Sequence, residues 1–86
     1  LAPLFADADA EVRREAALTA GYLGDKAAVP ALIAQLSDSD AQVRKAAAWA
    51  LGELKDGTAR PALQAALNDA HPFVRSIATA ALKKLR

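Results

Sequence analysis

Apolar residues recur three and four positions apart through most of the chain, which is the signature of helices with one buried face. Between residues 40 and 55 they fall at Val43, Ala47, Ala50, Leu51 and Leu54. The whole pattern then returns after thirty-one residues. LAPLFADADAEVRREAALTAGYL (1–23) lies over LIAQLSDSDAQVRKAAAWALGEL (32–54), and both lie over LQAALNDAHPFVRSIATAALKKL (63–85). Leu1, Leu32 and Leu63 share a column, as do Phe5, Leu36 and Leu67, and Val-Arg recurs at 12–13, 43–44 and 74–75. Each unit reads as two helices. The first spans about 27–36, and 58–67 in the next copy, with Asp25 and Asp56 as N-caps and Pro30 and Pro61 in the first turn. A start at the aspartate itself would instead put each proline a turn inside, where it kinks the helix. ADAD, SDSD and NDAHP make short turns. A longer helix follows over 40–55, with Gly57 as its C-cap.

Short connections imply antiparallel neighbours, and a period of this length implies a solenoid whose units are too small to bury their own apolar faces. The expected architecture is therefore all-α, an α-solenoid of stacked two-helix repeats with a 31-residue period. Residues 1–86 form one domain, with a truncated first repeat at 1–24, a second at 25–55 and a third, capping repeat at 56–86. The first copy opens inside its first helix and reads as cut. The third carries Lys83 where Gly21 and Gly52 stand, together with a polar tail. The open N-terminal edge is expected to leave the chain marginally stable alone or to pair it end to end.

Composition narrows the reading. Hydrophobic residues make up 53% of the chain and aromatics only 5%, so alanine supplies most of the apolar surface, as close helix packing favours. A net charge of +1 argues against a nucleic-acid binder, which presents a basic stripe. Arg75, Lys83, Lys84 and Arg86 lie in the final helix or beside it, where cations offset the helix dipole; nucleic-acid binding by this tail predicts affinity that falls steeply with salt. There is no cysteine, which removes disulfides, thiolate metal sites and cysteine nucleophiles and is compatible with a cytoplasmic setting. No apolar run is long enough to span a bilayer, and no signal peptide is visible. There is no methionine either, which suggests a fragment, a processed product or a designed chain.

The segment AVPALIAQLSDSDAQVRKAAAWALGEL (28–54) resembles the short HEAT-like repeats of the phycobilisome-lyase type, and also the designed scaffolds built from them. The likeness rests on the period, the Val-Arg dipeptide with its following alanines, LGEL and AVPALI. It implies second helices that line a concave binding surface. It also implies a ladder across the stack between the turn aspartates Asp7, Asp38 and Asp69 and the arginines Arg13, Arg44 and Arg75. A planar guanidinium fork can serve a carboxylate and loop carbonyls together, so these six residues are expected to be structural rather than catalytic.

On a helical wheel, Trp49 falls about 140° from the centre of the core face. It shares its side with Gln42, Lys45 and Glu53, and Ala46 lies at the border. The corresponding columns differ between copies: Glu11, Gln42 and Phe73; Glu15, Ala46 and Ile77; Leu18, Trp49 and Ala80; Tyr22, Glu53 and Lys84. Tyr22, Leu18, Trp49, Ile77 and Phe73 thus trace an apolar diagonal over three adjacent helices, roughly 20 Å long. Such a patch matches the size at which exposed apolar surface marks an interaction site, and Trp and Tyr are the side chains enriched at interface hot spots. The expected partner-binding set is Leu18, Tyr22, Gln42, Lys45, Ala46, Trp49, Glu53, Phe73 and Ile77. Three of these have a plainer reading: Phe73 can pack against its own turn, Ile77 borders the core, and Tyr22 sits half-buried near a helix end.

No enzyme signature accompanies this patch. His71 lies in a turn as His-Pro, where it caps or is solvated, and Ser37, Ser39 and Ser76 have no adjacent base. HExxH, phosphate-loop and EF-hand patterns are missing, and so are the paired His-Glu motifs through which some HEAT-like enzymes bind iron. The expectation is a non-enzymatic scaffold with no metal and no cofactor. It binds a protein partner on the second-helix face, not nucleic acid or membrane. A homo-oligomer through the repeat edge or the apolar stripe fits the same pattern. The alternative is a fragment or subunit of a HEAT-repeat enzyme such as a bilin lyase.

Overall fold

The computed structural model describes residues 2–85; the column position Leu1 and the tail residue Arg86 lie outside the described residues. Among the described residues six α-helices run in order: α1 (Ala2–Phe5), α2 (Ala10–Leu23), α3 (Val29–Gln35), α4 (Ala41–Leu54), α5 (Arg60–Ala66) and α6 (Pro72–Lys84). Among the described residues there is no strand. The long helices α2, α4 and α6 form one layer, with α4 packed between the other two. The short helices α1, α3 and α5 lie behind them, α3 on α4 and α5 on α6.

The three long helices start alike for a local reason. Asp9 and Asp40 sit in extended backbone, and their carboxylates accept the N–H groups of Glu11 and Gln42; His71 does the same through Nδ1 toward Phe73. Each thereby satisfies one of the orphan donors of the first turn. The short helices keep both the aspartate cap and the first-turn proline by using two helix types in succession. A 3₁₀ turn over Lys26–Ala28, capped by Asp25, precedes α3, so Pro30 falls in the first turn of a fresh α-helix and no kink results. Asp56, the turn Gly57–Ala59 and Pro61 repeat the arrangement ahead of α5.

The expected C-cap at Gly57 is corrected by the structure. Helix α4 ends on Lys55, which takes the left-handed conformation at φ 55°, whereas α2 ends on Gly24 at φ 68°. The helix must stop there because Asp56 already caps the next turn. That leaves only one residue to reverse the chain, and here it is a lysine.

The core is built from small side chains. Ala17, Leu32, Val43, Ala47, Ala48, Ala50, Leu51, Ala59, Leu63 and Ala78 are completely buried, and Gly52 is buried among them. Gln35 is the one buried polar side chain among the described residues. Its Nε2 donates to the carbonyls of Phe5 and Arg13, tying α1 and α2 to α3.

Candidate functional site

Three parts of α2, α4 and α6 converge on a groove of about 290 Å³ lined by Arg14, Leu18, Tyr22, Gln42, Lys45, Ala46, Trp49 and Ile77. Its centre is a seam between α2 and α4 made possible by Gly21. A Cβ at that position would lie 2.5 Å from Cζ3 of the Trp49 ring and 3.1 Å from the Ala50 backbone. The indole therefore lies directly over the neighbouring helix. Tyr22 leans on it with ring centroids 4.9 Å apart and planes tilted by 59°, a geometry aromatic pairs favour.

The wheel's placement of Trp49 needs revision on this point. The ring is half-buried and packs against the core, as Leu18 and Ile77 do. Ala46 is corrected outright: it is 4% exposed and offers almost no surface to a partner. A single helix docked on one neighbour would leave that side open. Here α4 is covered by α2, α3 and α6, so the buried arc is wider than the wheel allowed. Ala48 and Gly52, which lie outside the core face read from sequence, are buried for the same reason.

The remaining members of the expected set divide. Tyr22 and Phe73 are the most exposed aromatics, at 76% and 60%. Phe73 lies outside the groove proper, with the Lys45 ammonium 5.7 Å from its ring centroid and His71 against its edge. Gln42 is exposed and Lys45 half-buried on the groove wall. Glu53 faces α6 and pairs with Lys84, which draws it away from the groove. Arg14 was missed. It shares a column with Lys45, so the signal was present, but its ion pairs with Glu11 and Glu15 at 2.6 and 3.2 Å fix it at the rim. The guanidinium hydrogen bond and charge of Arg14 hold the Glu11 carboxyl below its ordinary value.

The arginine–aspartate positions lie at the turns and do not line the groove. Arg13 grips Asp38 through two bonds of 2.7 and 3.1 Å and donates to the carbonyls of Asp7 and Ala8. Arg44 grips Asp69 in the same way, at 2.8 and 3.1 Å, and donates to the Asp38 carbonyl. Each aspartate also accepts a backbone N–H two residues on, Asp40 and His71 respectively. Burial works against ionisation of Asp38 and Asp69, but the arginine and backbone hydrogen bonds outweigh it and hold both carboxyls below their usual value. Arg75 donates to the carbonyls of Asp69 and Ala70, and the Asp7 side chain accepts from its own turn at Asp9. The arrangement ties turn to turn. Among the described residues no group of three or more His or acidic side chains could hold a metal.

Comparison with known proteins places the fold. The structure of human deoxyhypusine hydroxylase in complex with glycerol is similar, with a TM-score of 0.90 and 32% identity. The match covers 98% of this chain and 30% of that one. The present chain thus spans less than a third of that protein's length. A search of curated protein sequences found no match. A family model of HEAT repeats matches residues 1–83, and with the stacked helix pairs described above this identifies the chain as a member of the HEAT-repeat family.

Proposed function

We propose that the chain is a non-enzymatic protein-interaction scaffold that receives a protein partner in the groove between α2, α4 and α6. One observation carries this reading: an indole and a phenol in tilted contact on the lining of a groove, the phenol largely exposed, with Leu18 and Ile77 beside them. Aromatic anchors of this kind dominate interface energetics, while a rim such as Arg14, Gln42 and Lys45 adds specificity. HEAT repeats generally mediate protein interactions, and the match to that family supports the same class. The net charge of +1 favours protein over nucleic acid as partner. No helix among the described residues is long and apolar enough to cross a membrane. Within the family, the short phycobilisome-lyase-type repeat is the proposed subgroup. Its units are 1–24, 25–55 and 56–86, the chain needs no cofactor, and its setting is cytoplasmic.

The test is a binding measurement on one partner recovered with the native chain. Trp49→Ala and Leu18→Ala are each expected to weaken its Kd by about tenfold or more, as truncation of a hot-spot residue does. Affinities unchanged within about twofold, on variants whose circular dichroism is native, would remove the groove as the binding face. A second reading, that the chain is part of a HEAT-repeat enzyme, is favoured by its likeness to a segment of human deoxyhypusine hydroxylase. That reading predicts that a small molecule, not a protein, protects Trp49 from quenching.

A further inference from the structure

The groove between α2, α4 and α6 carries charge of one sign. Arg14 and Lys45 line it, and no carboxylate does. Glu11 and Glu15, to which Arg14 donates from Nε and Nη2, line a separate hollow on the other side of α2. Among the described residues Arg14 Nη1 has no acceptor, so its donors stay available. Glu53 is drawn to Lys84, and Asp40, whose charge reaches Arg14, caps the Gln42 N–H. Lys45 pairs with no carboxylate among the described residues. Its ammonium is steadied instead 5.7 Å from the Phe73 ring centroid, and a cation already held on the wall loses less freedom when an anion arrives.

The cations and the apolar residues lie in two tiers. Helices α2 and α4 run in the same direction: Arg13 near the start of one holds Asp38 just ahead of the other, and Gly21 late in α2 faces Ala50 late in α4. Arg14 and Lys45 hold equivalent places in successive repeats, and so do Leu18 and Trp49. The apolar tier therefore sits four residues beyond the cationic one on each helix, about 6 Å at a rise of about 1.5 Å per residue. Tyr22 extends the apolar tier and Ile77 adds its α6 wall. In the third repeat these places fall to Ser76 and Ala80, so the pattern stops there. In an extended chain alternate residues face the same way about 7 Å apart, which matches the spacing of the tiers.

Resting on the reading of this groove as a protein-binding site, we infer that its occupant is an acidic, extended peptide segment. An apolar side chain of the segment seats on Trp49, Tyr22 and Leu18, and a carboxylate two residues away lies between Lys45 and Arg14. A basic segment is disfavoured, because like charges brought together across an interface repel. Two cations beside one aromatic pair are also too few for a nucleic-acid strand, which needs a basic track and a series of stacking platforms.

The test is selection of a phage-displayed random dodecapeptide library on the native chain, with Trp49→Ala and Lys45→Glu of native circular dichroism as parallel baits. Recovered peptides are expected to share an apolar residue with Asp or Glu two positions away. The leading peptide, titrated by calorimetry, should bind Lys45→Glu about tenfold or more weaker, and replacing its carboxylate by lysine should recover most of that loss. Raising salt from about 50 to about 500 mM should weaken the native complex severalfold. Peptides that need Trp49 but carry no acidic residue, or that bind Lys45→Glu equally well, would overturn the acidic class and leave the groove as the partner site. Peptides indifferent to both substitutions would remove the groove itself. Enrichment of basic peptides, no enrichment, or tighter binding of a single-stranded oligothymidylate than of the leading peptide would overturn the inference.

Discussion

Gly52 and Gly21 have no side chain to contribute, yet they set how closely the long helices approach. At Gly52 two effects oppose each other. Alanine gains helix propensity of about 1 kcal/mol over glycine, but its methyl would meet the Ala81 backbone and Cβ at 2.9 Å, and overpacking of that kind costs about 1–3 kcal/mol. Because the obstruction is main chain, it cannot rotate away. Gly52→Ala is expected to destabilise the chain by up to about 2 kcal/mol net, read as a lower urea midpoint with an unchanged slope. A stabilised variant would mean the α4–α6 seam is looser than described. At Gly21 the nearest obstacle is the rim of the Trp49 ring, which can tilt. The position of Trp49 was only half legible in the sequence. The wheel placed it away from the centre of the core face, but the ring's seat depends on a glycine 28 residues earlier, on another helix. No single-helix projection contains that neighbour.

Helix identity and extent were far more legible, because caps are local chemistry. The expected helix over 40–55 is observed as Ala41–Leu54, and the expected 27–36 as a 3₁₀ turn followed by Val29–Gln35. Asp25 and Pro30 each made a correct local demand, and the chain satisfies both by using two helix types in succession. The C-terminal cap of α4 was misread because Gly57 drew attention from Lys55, a residue with no preference for left-handed backbone. That conformation costs a non-glycine residue roughly 1–2 kcal/mol, partly offset by the extra freedom glycine adds to the unfolded chain. Lys55→Gly is accordingly expected to stabilise the chain by about 0.5–1 kcal/mol, seen as a rise in thermal midpoint of several degrees. No rise, or a fall, would show that the lysine side chain makes compensating contacts.

Across the whole molecule, the repeats are joined by unlike ties at their two ends. Along the turns, Arg13–Asp38 and Arg44–Asp69 link successive units, with the aspartate side chains 11% and 9% exposed. Both carboxyls are held below the ordinary aspartate value of 3.8. The folded form therefore binds its protons less readily than the unfolded form. The resulting stability is fully present above pH 3.8 and is lost as the pH falls through the lowered folded-state values. Unfolding midpoints measured downward from pH 5 should drop steeply below about pH 4. In Asp38→Asn/Asp69→Asn that acid limb should flatten, with a lower plateau at neutral pH; an identical acid limb in both proteins would detach the ladder from acid stability. The recurring Val-Arg dipeptide marked the arginines in the sequence and the family resemblance implied the aspartates, but which arginine meets which aspartate is a property of the stack.

At the other end of α2 and α4, the tie is the contact between Tyr22 and Trp49, and these are the chain's only tyrosine and only tryptophan. Light absorbed by the phenol passes to the indole while the rings touch, so tyrosine emission is silent in the closed seam and returns when the two helices part. The groove thus carries its own optical gauge: the ratio of the two emissions follows the separation of the two helices that carry this single pair.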